Sequence, residues 1–341
     1  MKKRAKNDEM RIAVIGGGTG SFVILSALKK YTNQITALVN MADDGGNTGV
    51  LRDELGVLPP GDVRQCLVAL SRNPKVRDLF NYRFEEGSLK GHSFGNLFLT
   101  ALEKMTGDFS KGVSLASEVL SIIGQVEPIT LTNVRLAMRL KGNKPVRGQF
   151  VIENCSFRNK NYPKLWLEPE AEANPKAIKA IKQADLVIVA PGNLYISLAP
   201  ILIVSGVGKA LKESQALKIY VCNLVTKPGQ TDGFMVTDFA NEIERLAGDK
   251  FLDAVLFNTE KPNRDLLGKY AKDGELSVEY NHRLLKQASY NTFGRRLLAG
   301  KVYQNVSRSD PMAAHRTLIR HDSEATAREL IKIYKKYAKS N

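Results

Sequence analysis

Ile12-Ala13-Val14-Ile15-Gly16-Gly17-Gly18-Thr19-Gly20-Ser21 decides the fold. The unbroken apolar run is the pattern of a strand buried on both faces, and the glycines after it let the backbone bend sharply and come close to an anion. Helix-patterned residues 22–30 follow, so free N–H groups and the positive end of a helix dipole point at the turn. The ligand this predicts carries a phosphate, cradled by Gly16, Gly17, Gly18, Thr19 and Gly20. A turn that merely packs a helix on a strand is the plain alternative, and the run of three glycines with a threonine argues against it.

The spacing approaches the dinucleotide fingerprint G-x-G-x-x-G, but Ser21 stands at the third glycine position. The second strand, Ile35–Val39, closes on Asn40, where a dinucleotide site would have an acid for the ribose hydroxyls. Without that acid or a hydride-transfer constellation, an NAD-dependent dehydrogenase is the weaker reading.

Further apolar strands at 186–190, 217–221 and 254–257 each precede a helix-like segment, at 199–211, 234–246 and 264–270. Such alternation predicts a mostly parallel sheet covered on both faces, with ligands beyond the carboxyl ends of its strands. Residues 61–123 read as a helical insertion, with apolar periodicity in 63–70, 76–84, 97–105 and 113–122. Residues 129–167 read as a small antiparallel element, with strands at 129–140, 146–152 and 165–167. Residues 10–338 form one α/β domain on this reading, and residues 1–9 a flexible basic tail with no apolar signal core behind it.

The 341 residues suffice for a full core, and the formal charge of +15 suits anionic ligands. The lysines and arginines are scattered without interleaved aromatics or a helix-turn-helix, RNA-recognition or zinc-finger signature, so nucleic acid is not expected. Cys66, Cys155 and Cys222 are odd in number and far apart, which predicts neither a disulfide framework nor a zinc site and suits a cytoplasmic protein. The longest apolar stretch, 194–207, is interrupted by Pro200 and too short to span a bilayer.

Several polar loops carry chemistry. Asp43-Asp44-Gly45-Gly46-Asn47-Thr48-Gly49-Val50-Leu51-Arg52 joins adjacent carboxylates to glycines and a guanidinium, a set able to ligate a divalent ion and meet phosphate oxygens. In Pro59-Pro60-Gly61-Asp62-Val63-Arg64, Asp62 is placed to cap a helix, and Arg64 to reach an anion or Asp44. Gly91-His92-Ser93-Phe94-Gly95-Asn96 holds the one histidine considered for function, though a lone histidine is more often structural. Gly192, Asn193, Tyr195 and Ser197 after one strand, and Asn223 after the next, offer amides and hydroxyls to sugar hydroxyls or phosphate oxygens.

Taken in order, Gly16–Gly20, Ala42-Asp43-Asp44-Gly45-Gly46 with Leu51-Arg52, Pro59–Arg64, Gly91-His92 with Gly95-Asn96, Ala190-Pro191-Gly192 with Tyr195, and Cys222-Asn223 with Pro228-Gly229 resemble the bacterial gluconeogenesis factor family, YvcK. That family shares a superfamily with the CofD-like 2-phospho-L-lactate transferases, and the likeness runs from about Met10 to Lys336. The resemblance implies a three-layer Rossmann-like fold with a doubly wound sheet. It also implies a cytoplasmic regulator that binds UDP-sugars such as UDP-N-acetylglucosamine or UDP-glucose and supports cell-wall synthesis and cell shape on gluconeogenic carbon. The transferase branch implies instead a phospholactyl transfer from a guanosine diphosphate-linked donor with a divalent ion such as Mg2+.

Carried onto this chain, the resemblance puts the glycine turn and residues 43–46 over the diphosphate, with Asp44 or Asp62 as metal ligand. Asn193, Tyr195, Ser197 and Asn223 would meet sugar or base, and Arg52, Arg64 and Asn96 complete the nucleotide set. As a regulator the protein would need no cofactor for binding, would signal to a cell-wall regulatory protein and could self-associate. As a transferase it would place metal on Asp44 or Asp62 and use His92 as a base or acceptor-positioning group. Asn47-Thr48, Asn193 and Lys227 depart from the family's usual residues and bear on ligand selectivity.

Overall fold

The computed structural model describes residues 10–140, 142–157, 162–300 and 319–339; the expected tail at 1–9 lies outside them. Ten strands occur among these residues: β1 Ile12–Ile15, β2 Ile35–Val39, β3 Gln125–Pro128, β4 Arg135–Arg139, β5 Val146–Arg147, β6 Lys164–Glu168, β7 Leu186–Val189, β8 Leu217–Val221, β9 Ala254–Asn258 and β10 Asn291–Arg295. Seven form a wholly parallel sheet in the order β10-β9-β8-β7-β1-β2-β3. The remaining three pair antiparallel as β5-β4-β6. β1, β7 and β8 are buried at every residue, as central strands covered on both faces must be.

The chain runs outward from β1 to β2 and β3, then returns to place β7 on the other side of β1. This is the strand order of a Rossmann-like doubly wound sheet with one further strand at its edge. Between β1 and β3 come α1 (Gly18–Leu28), α2 (Gly46–Leu55), α3 (Gly61–Leu70), α4 (Pro74–Asn81), α5 (Phe94–Thr106) and α6 (Phe109–Val119). The insertion expected at 61–123 is thus helical, as α3 to α6. The later helices are α7 (Gln149–Glu153), α8 (Pro175–Gln183), α9 (Ala199–Leu202), α10 (Val207–Glu213), α11 (Val236–Ala247), α12 (Arg264–Lys272), α13 (His282–Gln287) and α14 (Ser323–Tyr337). α1 packs against α3 and α14, which explains why it is apolar around most of its circumference.

Four local readings change. Residues 146–152 are not one strand: after β5 the chain turns into α7, whose first N–H groups are capped by Asp44, with Oδ2 accepting from Gln149 at 3.1 Å and Oδ1 from Phe150 at 2.9 Å. The glycine-rich loop after Asp44 becomes α2, a helix that glycine content hides but that needs Gly49, where a Cβ would lie 2.3 Å from the Asp44 carbonyl oxygen. The span 199–211 breaks into α9 and α10, preceded by a single π turn at Leu194–Leu198. β3 and β10 escape a hydrophobicity reading because edge strands such as Gln125–Pro128 and Asn291–Arg295 carry polar residues.

At the centre of the sheet the β1–α1 turn lies against the turn after β7. A Cβ on Gly20 would stand 1.7 Å from the Pro191 carbonyl oxygen, a backbone atom with little room to yield. Gly20→Ala is therefore expected to lose about 2 kcal/mol or more of stability, read as an early thermal or denaturant transition. Gly268→Ala, where the added carbon meets no atom within 4 Å, is the matched control and should melt close to the parent.

Candidate functional site

The reversal of strand order at β1 leaves a crevice between the carboxyl ends of β1 and β7, where doubly wound sheets hold their ligands. Gly17–Gly20 form one wall, Pro191, Gly192, Asn193 and Ser197 a second, and Asn223–Lys227 a third. Glu153, Glu275 and the segment Ile319-Arg320-His321 complete a cleft of about 410 Å3.

Gly18 starts α1 at φ +61°, a conformation that favours glycine, and Gly17 precedes it without a side-chain cap. The Gly18 N–H donates to the carboxylate of Asp62, which reaches up from α3 and lies so close that a Cβ on Gly17 would be 2.1 Å from Asp62 Oδ2. Asp62 therefore does not cap its own helix, where Pro60 holds the cap position. It serves the start of α1, whose next residues, Thr19 and Gly20, face the cleft.

Asn223 joins the two neighbouring turns. Its Nδ2 donates to the Gly192 carbonyl at 2.7 Å, and its Oδ1 accepts from Gly192 N at 3.4 Å and Tyr220 OH at 3.1 Å. Asn193 caps the π turn, its Oδ1 accepting from Tyr195 N at 3.2 Å and Ile196 N at 3.4 Å. Lys227 lies 3.6 Å from Glu153, and its charge opposes the rise that burial imposes on the Glu275 carboxyl. His321 is 8% exposed and hydrogen-bonds the Cys222 backbone, while its Nε2 is buried without a partner. Burial drives its pKa down to about 4, so the ring is neutral at neutral pH and Nε2 is an acceptor on a residue that lines the cleft.

Other residues singled out in the sequence stand elsewhere. Tyr195 is 1% exposed, its ring 4.9 Å from Phe157, and burial with the nearby Glu242 carboxylate pushes its hydroxyl pKa upward. Arg64, 5% exposed, donates from Nε to Asn96 Oδ1 at 3.0 Å and from a terminal nitrogen to Asn81 Oδ1 at 2.6 Å, so it meets Asn96 rather than Asp44. Arg52, 4% exposed, donates to the Val134 carbonyl at 2.6 Å on the side of the small sheet. His92 sits beyond Gly91, which packs against Asn47, and its Nδ1 is buried without a partner. None of these lines the cleft, nor do Gly45 and Gly46. Lys227 and His321 do; the first carries only the signal of a lysine after a strand end, and the second none in its local sequence.

Beside the glycine turn, the structure pairs Asp62 with Asp43, not with Asp44. Asp44 spends both oxygens on α7 and lies 3.9 Å from Arg135. Asp43 accepts from Gly45 N at 3.0 Å and from Gln149 Nε2 at 3.4 Å. Burial raises its pKa, the Asp44 charge adds to the rise, and the Gly45 and Thr48 hydrogen bonds oppose it. Asp62 is raised to about 7, first by burial and then by the Asp43 charge, against the Gly18 N–H, Arg64 and Asn40. Among the described residues no group of three or more His, Cys, Asp or Glu side chains is arranged to hold a metal ion.

An acid whose pKa is higher folded than unfolded stabilises the fold below its unfolded value and loses that contribution as pH rises to its folded value. For Asp62 the window runs from about 4 to about 7. In metal-free buffer, the melting temperature of Asp62→Asn should gain on the parent as pH climbs through that window. A difference that stays flat would show that the carboxyl titrates in its ordinary range.

The family profile for 2-phospho-L-lactate transferase CofD matches residues 12–298. The gluconeogenesis factor of Bacillus subtilis is 36% identical over 328 residues, covering 95% of this chain and 98% of that protein. A Nostoc sp. relative is 42% identical over 95% of this chain, which spans 68% of its greater length. The crystal structure of a UPF0052-family protein from Bacillus halodurans superposes with a TM-score of 0.84 at 34% identity, covering 94% of this chain and 98% of that one. The parallel sheet, the glycine turn at its centre and the matches across nearly the whole chain agree: the protein belongs to the CofD family, among its gluconeogenesis factors.

Proposed function

We propose that the protein is a regulator that binds a nucleotide-sugar, with UDP-N-acetylglucosamine or UDP-glucose as ligand, and that it adjusts cell-wall synthesis and cell shape during growth on gluconeogenic carbon. One observation carries the reading. A single cleft pairs a glycine-built helix start, where Thr19 and Gly20 follow the Gly18 N–H held by Asp62, with groups that seek hydroxyls: Ser197, the Asn193 amide and the unpartnered Nε2 of neutral His321. Such a cleft suits a phosphate joined to a sugar. Thr19 and Gly20 offer N–H groups to the diphosphate, Lys227 adds charge, and His321 takes a hydrogen bond from a sugar hydroxyl next to the phosphates. A phosphate oxygen would find only a lone pair at Nε2.

Asp43 and Asp62 favour a second reading, a metal-dependent transferase of the CofD type. Burial raises the proton affinity of both carboxylates, and the Asp43 charge raises that of Asp62 further, a strain relieved by a proton or by a cation. They suit Mg2+ completed by water and phosphate oxygens, whereas Asp44, committed to α7, does not. Bound there, the ion would neutralise charge developing on the phosphate in the transferred group's displacement. Asp43 and Asp62 would hold it beside the glycine turn, and Gly18 would keep Asp62 in place.

Calorimetric titration of the full chain with UDP-N-acetylglucosamine, UDP-glucose and GDP, each with and without Mg2+, separates the readings. The regulator binds a UDP-sugar at submillimolar concentration without metal, and Lys227→Ala weakens it about tenfold, the scale of one charge-assisted contact. Arg52→Ala, remote from the cleft, should lower melting temperature and leave affinity within about twofold. Preference for GDP with a requirement for Mg2+, and turnover lost on chelation, would establish the transferase instead.

A further inference from the structure

Dinucleotide-binding sheets of this order send the nucleoside from the glycine turn toward β2 and hold its ribose on an acid there. Here that direction is filled. Asn40 at the end of β2 is 1% exposed, its Oδ1 accepting from Ala42 N at 2.9 Å and its Nδ2 donating to Gln149 Oε1 at 3.1 Å. Asp43 and Asp44 then tie the same region to α7.

The opposite direction is open. Over the carboxyl ends of β8 and β9 lies a larger cavity of about 830 Å3, which shares Asn223, Leu224, Thr226 and Glu275 with the glycine-turn cleft. Its apolar walls include Phe234, Phe257, Val278 and Tyr280. The Tyr280 ring is 5.0 Å from Phe257 and 5.3 Å from His282, so an aromatic surface borders the space. Ser277 also lines it, with its Oγ buried and without a partner. Glu260, Glu275 and Glu279 outnumber Lys261 among the charged residues there, which disfavours a phosphate and suits a neutral ring with N–H and hydroxyl donors.

We propose that this second cavity holds the base and ribose of a nucleoside diphosphate whose phosphates lie at the glycine turn, so that the ligand crosses β7 toward β8 and β9. The inference rests on the nucleotide-sugar reading above. Tyr280 supplies the face on which the base stacks, Ser277 meets a polar edge of the base, and the glutamates accept from ribose hydroxyls. The space is of the size and lining in which proteins hold small ligands, mostly apolar with a few placed polar groups.

An azido-uridine analogue of UDP-N-acetylglucosamine, photolysed with the unmodified full chain and mapped by mass spectrometry, tests the path directly. Label within residues 257–262 or 276–282 is the expected result, and label within residues 40–47 overturns it. Calorimetry adds a second reading: Tyr280→Ala should weaken UDP and UDP-N-acetylglucosamine by the same factor, about tenfold, while Tyr280→Phe stays within about twofold. A Tyr280→Ala protein that melts like the parent and binds UDP equally well overturns the subsite while leaving nucleotide binding intact. A parent chain that binds neither UDP nor UDP-N-acetylglucosamine removes the underlying reading and the subsite with it.

Discussion

The backbone of Gly20 lies against the carbonyl of Pro191, and the rest of the site depends on that approach. It locks the β1–α1 turn to the β7 turn at the one place where the sheet reverses its winding. Had a larger residue stood at Gly20, the two turns would part and the helix start would no longer share a cleft with Asn193 and Ser197. Asn223 extends the same joint to β8 through paired hydrogen bonds with Gly192. Three strand ends are thus held in fixed relation by backbone and amide contacts, which lose little entropy when a ligand arrives.

Charge is distributed around this joint with some economy. The positive end of α1 is already met by Asp62, whose own charge is held back by burial and by Asp43. An anion entering the cleft therefore encounters a helix terminus backed by a readily protonated acid instead of a fixed negative charge. On the far wall Lys227 stands between Glu153 and Glu275, so a bound phosphate would compete with these carboxylates for one ammonium. Affinity in such a site reflects rearranged pairings more than new ones.

The centre of the fold is legible in the sequence because β1 and β7 are continuous apolar runs, β8 is broken only by Lys218, and glycine has few alternative uses after a strand. Neighbours in the chain are also neighbours in space at Gly17–Gly20 and at Gly192 with Asn193, which line one cleft. Legibility fails where the partner is distant. Arg64 and Asn96 both read as ligand groups, yet they are 32 positions apart and hydrogen-bond to each other. Asp44 reads as a metal ligand, but its partners, Gln149 and Phe150, come more than a hundred residues later and turn an expected strand into α7. Tyr195 sits in a motif full of polar groups while its side chain joins the core. His321 shows the opposite case, a residue without a local pattern that the fold carries to the edge of the cleft.

Helix α7 is only five residues long, and little of its own sequence holds it. Its start hangs on Asp44, Gln149 reaches Asn40 and Asp43, Gln230 donates to the carbonyls of Ile152 and Glu153 at its end, and Glu153 meets Lys227. It is a short beam slung between the end of β2 and the loop after β8, and β5, two residues upstream, is fastened to β4 in the small sheet. A ligand that draws Lys227 from Glu153 would act on one end of that beam, and a cation that reorients Asp43 on the other. Through that beam the small sheet is tied to a cleft it does not itself line.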